Sequence, residues 1–198
     1  FGEMNYFVSS IYKLVFFLPI VYRMFFYKRS FKQSIVEGFN WKRFKKNFLP
    51  TLGLSLLFGS LFLSAFLIFK GYLDFDSMIY NLKTLVGVDK SNILYIGAYV
   101  IFLNSVLEEY FWRGFMFKEL KSLGTLTAYI LTGLGFALHH VMLIYAWFSW
   151  PYIIAMTLGL AGFGMVMNRI YEKYGLFSCW LIHLIQDVVM IGIGFSLL

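Results

Sequence analysis

Two adjacent carboxylates, Glu108 and Glu109, precede Arg113 in an apolar stretch; His139 and His140 follow in a second, and His183 and Asp187 in a third. Acids and imidazoles are the groups that take a proton from water and hand it on, so these residues suit general acid/base chemistry. Inside a hydrocarbon layer each such group costs about 2.5 to 3.5 kcal/mol on insertion scales, and each therefore needs a reason. Glu109 and Arg113 are four apart, the spacing of an intrahelical ion pair, and are read as neutralising one another. Glu108 points about 100° away and is expected to face another helix without a cation of its own. Phe136 lies under His140 at helical spacing while His139 projects elsewhere, so one histidine of the two is expected to share a cavity with Glu108. His183 and Asp187 are again four apart, as a working pair or as a self-satisfied polar contact between helices.

The elements that carry these groups follow from composition. Of 198 residues, 60% are hydrophobic, 22% aromatic and 14% charged. Too little polar surface exists to cover a soluble globule, and mean hydropathy is +0.73. A span needs about 20 apolar residues, and six stretches are expected to qualify, near 6–27, 48–69, 93–117, 125–148, 151–168 and 176–198. The chain is thus expected to be all-α, a polytopic bundle of about six transmembrane helices around a polar cavity. The fifth stretch is read as short, joined to the fourth by a turn at Trp147-Phe148-Ser149-Trp150 and started by Pro151.

Charge orients the set. Lys28, Arg29, Lys32, Lys42, Arg43, Lys45 and Lys46 follow the first stretch, Arg113, Lys118 and Lys121 the third, and Arg169 and Lys173 the fifth; Lys70, Lys83 and Lys90 lie on the other side. By the positive-inside rule the richer loops are cytoplasmic and both ends of the bundle lie outside. The net charge of +7 therefore reports topology and not nucleic-acid binding. Lys13 and Arg23 in the first stretch are read as structural, snorkelling to an interface. Residues 28–47 interleave bases with aromatics, as a helix on an anionic leaflet or as a solvated loop. Leu73, Phe75, Ile79, Leu82 and Leu85 could line an amphipathic lid over the outer face. No signal-peptide pattern opens the chain, and a start at Phe1 leads us to expect an upstream piece.

Other chemistries have little to work with. One Cys rules out a disulfide framework, and Cys179, four residues before His183, reads as a small buried hydrophobe rather than a nucleophile. Gly159, Gly162 and Gly164 read as close-packing sites. Counting inward from the expected helix ends puts Glu108 and His183 about 10 Å, but His140 about 22 Å, from the cytoplasmic boundary. A tilted, water-filled cleft would reconcile those depths.

Glu108-Glu109-Tyr110-Phe111-Trp112-Arg113 fits E-E-x-x-x-R, Phe136 to His140 fits F-x-x-x-H, and His183 to Asp187 fits H-x-x-x-N/D, in that order on apolar helices. Together they resemble the CPBP family, the CAAX-protease and bacteriocin-processing membrane proteins, over roughly residues 93–198. With no soluble domain, low-complexity tract or internal repeat in view, residues 1–198 are expected to form one transmembrane domain; the resemblance implies a catalytic core in 93–198 and an intramembrane glutamic-type endopeptidase without metal or other cofactor. It implies that Glu108 and His140 activate water, that His183 and Asp187 polarise the carbonyl and hold the oxyanion, and that Glu109 and Arg113 support them. Where the family has Asn, an amide donates; an Asp at 187 acts protonated, or instead fixes the tautomer of His183. Partners so implied are the bilayer and a peptide or protein substrate: a prenylated C-terminus, a leader peptide or a sorting tail. A Lys-, Phe- and Tyr-rich composition points to an AT-rich prokaryotic genome and a cell membrane. The rival readings are a non-catalytic binding or immunity protein of the same fold, a metal-dependent protease using Glu108, His140, His183 and Asp187 as ligands, and a proton-coupled transporter.

Overall fold

A computed structural model describes residues 12–36, 38–145 and 148–198, and all regular structure among them is helical. A 3-10 turn at Tyr12–Phe17 runs into α1, Leu18–Phe26, with Pro19 in its first turn, where a missing N–H costs nothing. Two short helices follow, α2 at Phe31–Val36 and α3 at Trp41–Lys46, the latter capped by Asn40, which accepts from the backbone N–H of Arg43. The long helices are α4, Phe48–Phe69; α6, Ile93–Leu123; α7, Thr125–Ile144; α8, Trp150–Tyr174; and α9, Leu176–Leu197. Between α4 and α6 sits the short α5, Phe75–Asn81, with Asp74 as its N-cap.

Five of these helices are long and apolar enough to cross a membrane, and Leu14–Phe26 is a shorter apolar helix. The chain is a polytopic all-α membrane protein. Residues 1–11, the start of the expected first stretch, lie outside the described residues. The fifth stretch is not short: α8 runs for 25 residues. The third reaches Leu123 and not 117. That extension removes the disagreement in depth. From Leu123 back to Glu108, and from Thr125 on to His140, are both 15 residues, or about 22 Å. α9 starts deeper than α7, with fully buried Leu176 packed against Gly114, so seven residues suffice to bring His183 to the same level.

Backbone approach sets the packing. α7 and α8 form the expected hairpin, and a Cβ on Gly133 would lie 2.8 Å from the Ala161 carbonyl, while one on Gly164 would lie 3.0 Å from the Gly133 Cα. Gly164 is thus the close-packing glycine anticipated; Gly159 and Gly162 face open space instead. Gly135 admits the Trp112 indole, which a Cβ would meet at 2.7 Å. Hydroxyls join further helices: Thr51 of α4 donates to Ser178 of α9, and the Trp180 indole of α9 donates to Ser105 of α6. With apolar tails offering no hydrophobic drive between helices, such small and polar contacts are what hold spans together. Leu49, Leu56, Leu57 and Leu61 on α4 stay exposed, as a surface facing lipid tails would.

Arg23 corrects the expectation that it snorkels. It is 1% exposed. Its guanidinium donates to the Tyr110 hydroxyl at 2.6 Å, to the Gly114 carbonyl at 2.6 Å and to the Ser34 carbonyl at 3.4 Å. The Tyr110 hydroxyl donates to that same Ser34 carbonyl. A planar fork with five donors can hold several acceptors at once. Arg23 thereby pins α1 and α2 to α6, one turn beyond Glu109. Within 28–47 the described residues form the two short helices α2 and α3, with Phe39, Trp41 and Phe44 against Phe177 at the start of α9. In the segment between α4 and α6, Leu73, Phe75, Ile79 and Leu82 are half-buried and Phe75 packs on Phe66 of α4, while the Leu85 side chain of the expected lid lies outside the described residues. The Asp74 carboxyl that caps α5 is held below the usual carboxylate range by the backbone N–H and hydroxyl of Ser77.

Candidate active site

The site begins on α6. Ser105–Glu109 is regular α-helix between two π-helical segments, Tyr99–Asn104 and Tyr110–Phe117. A wider turn shifts every later side chain around the axis, and such bulges favour functional positions because they aim side chains that a straight helix would not. Glu108 and Glu109 are 3% and 0% exposed.

Glu109 Oε1 accepts from Arg113 at 2.8 Å, the ion pair its spacing promised. The same oxygen lies 2.8 Å from Nδ1 of His183. Glu109 is therefore more than Arg113's counter-charge: a carboxylate accepts, so the Nδ1 of His183 carries a proton, and Nε2 is turned toward Glu108. This is the tautomer-fixing part that was open for Asp187. Asp187 Oδ1 stands instead 3.8 Å from Nε2 of His183, and its Oδ2 is buried without a hydrogen-bond partner among the described residues. Arg113 also donates to the Gly164 carbonyl at 3.3 Å and lies 4.3 Å over the Phe136 ring. Phe136 in turn packs under His140, with ring centroids 4.3 Å apart. Within F-x-x-x-H the phenyl ring thus couples the guanidinium to the imidazole.

Both histidines of α7 reach Glu108, which corrects the expectation that one would. His139 Nε2 is 3.3 Å from Oε1 and His140 Nε2 is 3.6 Å from Oε2. The carboxylate lies between the two imidazole directions, so each oxygen meets one ring. His183 Nε2 approaches Oε2 at 3.8 Å. His140 Nδ1 is 2.9 Å from the Phe136 carbonyl, which can only accept, so Nε2 of His140 presents a lone pair. Glu108 is also not without a partner in its own helix: Asn104 Nδ2 donates to its Oε1 at 2.5 Å. Asn104 was missed in the sequence although it lies four residues before Glu108, the same spacing that exposed Arg113.

Glu108, His140 and His183 each offer a ligand atom within 4.8 Å of one another, an arrangement that could hold a metal ion. Cys179 is fully buried, with its thiol on the Met167 carbonyl, away from any role as nucleophile. A family model for Rce1-like type II CAAX prenyl endopeptidases matches residues 90–189. The chain belongs to that family. The match covers every acid and imidazole of the site, from Glu108 to Asp187, and membership of the Rce1-like family implies a peptidase embedded in the membrane. Neither the curated proteins nor the solved structures provide a match. The helices before residue 90 lie outside the Rce1-like match, yet Phe16 packs edge-on against both Phe111 and His139, with centroids 5.0 and 5.1 Å apart.

Proposed function

We propose that this chain is an intramembrane endopeptidase of glutamic type, which hydrolyses a peptide bond of a membrane-associated peptide or protein with water activated by Glu108 and His140. The observation that carries this reading is the Oε2 of Glu108. It is buried, has no hydrogen-bond partner among the described residues, and is faced by Nε2 of His140 at 3.6 Å and of His183 at 3.8 Å. Those separations are too long for direct hydrogen bonds, and the water that this reading requires enters among the three groups as the site opens to substrate. Glu108 takes a proton from that water as its oxygen bonds to the carbonyl carbon, and the Nε2 lone pair of His140 shares the load. As an imidazolium, His183 donates from both nitrogens, Nδ1 to Glu109 and Nε2 to the oxyanion. A protonated Asp187 donates beside it. Collapse of the tetrahedral species expels the amine, which leaves with the proton returned by Glu108.

Membership of a family of type II CAAX prenyl endopeptidases supports a lipid-anchored C-terminus as substrate; leader peptides and sorting tails are the other members of the class. The distribution of Lys and Arg supports access from the cytoplasmic side, and the Lys-, Phe- and Tyr-rich composition supports a prokaryotic cell membrane.

A second reading has its own observation. Both site histidines tie Nδ1 to an acceptor, Phe136 O or Glu109, and turn Nε2 inward beside a carboxylate, which is how metal-ligating histidines are held. Two His and one carboxylate are an ordinary hydrolytic zinc set. Detergent-purified protein, dialysed against a chelator and assayed on quenched peptides with and without a prenyl group, separates the two. Full activity in metal-free protein supports the glutamic reading. Loss of activity with chelator, restored by added zinc, supports the metal reading, and no cleavage of any peptide by wild-type protein contradicts both.

A further inference from the structure

The two oxygens of Glu108 live in different surroundings. Oε1 meets two polar side chains that no motif of the sequence requires, the Asn104 amide at 2.5 Å and Nε2 of His139 at 3.3 Å. Oε2 meets only the more distant Nε2 atoms of His140 and His183. The two neighbouring histidines also differ in access: the His139 side chain is 9% exposed and that of His140 25%. His139 is packed edge-on against Phe16 and lies by Trp112, ring centroids 6.4 Å away, whereas His140 is the more open of the two. The donors on Oε1 come from one turn earlier on α6 and from α7, so together they fix the carboxylate about both side-chain torsions nearest the acid.

We propose that Asn104 and His139 are positioning residues, a two-donor clamp on Oε1 of Glu108 that presents Oε2 to water, and that the first apolar helix, through Phe16, seats one jaw of it. The inference rests on the protease reading above. A carboxylate on a three-bond stem samples several rotamers, and misplacing a catalytic oxygen by about 1 Å can cost about 100-fold in rate. Two donors that hold one oxygen remove that freedom without touching the reacting atoms. The division of labour on α7 follows: His139 holds and His140 exchanges protons.

The test uses full-length protein in detergent, a quenched peptide that wild type cleaves, and the variants His139→Phe, His139→Gln and Asn104→Leu, each alone and in a Glu108→Gln background. Phe keeps a ring against Phe16 but donates nothing; Gln returns an N–H donor. His139→Phe and Asn104→Leu are expected to lower kcat by about 10- to 100-fold with KM within about twofold. His139→Gln is expected to recover most of the loss, and neither clamp variant should slow the Glu108→Gln protein further, because its reacting oxygen is already gone. Wild-type kcat in His139→Phe overturns the clamp while leaving the protease reading intact. So does a loss that Gln does not rescue and that persists in the Glu108→Gln background, the signature of a merely structural role. A wild-type protein that cleaves no peptide removes the protease reading, and the clamp falls with it.

Discussion

His183 gives its Nδ1 to Glu109 Oε1 at 2.8 Å, so the acid next to Glu108 in sequence orients the imidazole that faces Glu108 in space. The same oxygen holds Arg113, also at 2.8 Å. Consecutive acids on one helix point about 100° apart, and the pair E-E thereby supplies one group that faces the histidines of α7 and one that braces a partner on α9. Glu109→Gln keeps an oxygen for Nδ1 but loses the charge, and kcat is expected to fall by about 10- to 100-fold, as when an orienting partner is removed from a histidine. Glu109→Ala strands the buried guanidinium of Arg113, at a cost of about 3 to 5 kcal/mol. Steady-state kinetics on the first variant and thermal unfolding in detergent on the second check these outcomes. Wild-type behaviour in both would show that Glu109 braces nothing.

Asp187 separates two ways of stabilising an oxyanion. Its Oδ2 is buried and unpartnered among the described residues, and its Oδ1 is 3.8 Å from His183 Nε2. If its part is to donate a hydrogen bond, Asp187→Asn supplies an amide donor in the same volume and should keep kcat within about 10-fold. Asp187→Leu should lose about 100- to 1,000-fold, the usual cost of one oxyanion donor. Equal losses in the two variants would assign Asp187 to charge rather than to donation.

Arg23 joins the first apolar helix to α6 through Tyr110 and Gly114, and to α2 through Ser34. Arg23→Met preserves length and apolar bulk but leaves the Gly114 carbonyl and the Tyr110 hydroxyl without that donor. Hydrogen bonds to a charged group contribute about 1.5 to 3 kcal/mol each, so a loss of about 3 kcal/mol is expected in detergent unfolding. Rates at temperatures below the transition should change less than they do in Glu109→Gln. An Arg23→Met protein as stable as wild type would contradict the role of this residue as a pin.

The bundle was legible because spans, basic loops and the Pro151 start are local signals, and the acids and imidazoles stood out against an apolar background that makes each one costly. What sequence could not supply was relative position. Reading α6 only to residue 117, where hydropathy drops, misplaced Glu108 in depth; the helix continues through Lys118 and Lys121 because a helix end may leave the hydrocarbon while its hydrogen bonds persist. Arg23 looked free to snorkel because its acceptors lie 87 and 91 residues away in the chain. His139 was set aside on helical geometry alone, which fixes the angle between two side chains but not the place where a carboxylate from another helix will enter between them. Asn104 passed unnoticed as an uncharged residue, although its spacing from Glu108 was in view.

The most direct test is the rate of Glu108→Gln against wild type in metal-free protein, measured as single-turnover cleavage of a quenched membrane peptide. Gln keeps the volume and an acceptor for the Asn104 amide, yet takes no proton from water. The account predicts full wild-type cleavage after chelator treatment and a loss of at least about 100-fold in Glu108→Gln, the lower end of what general-base catalysis contributes. Cleavage by Glu108→Gln at a rate close to wild type would contradict it.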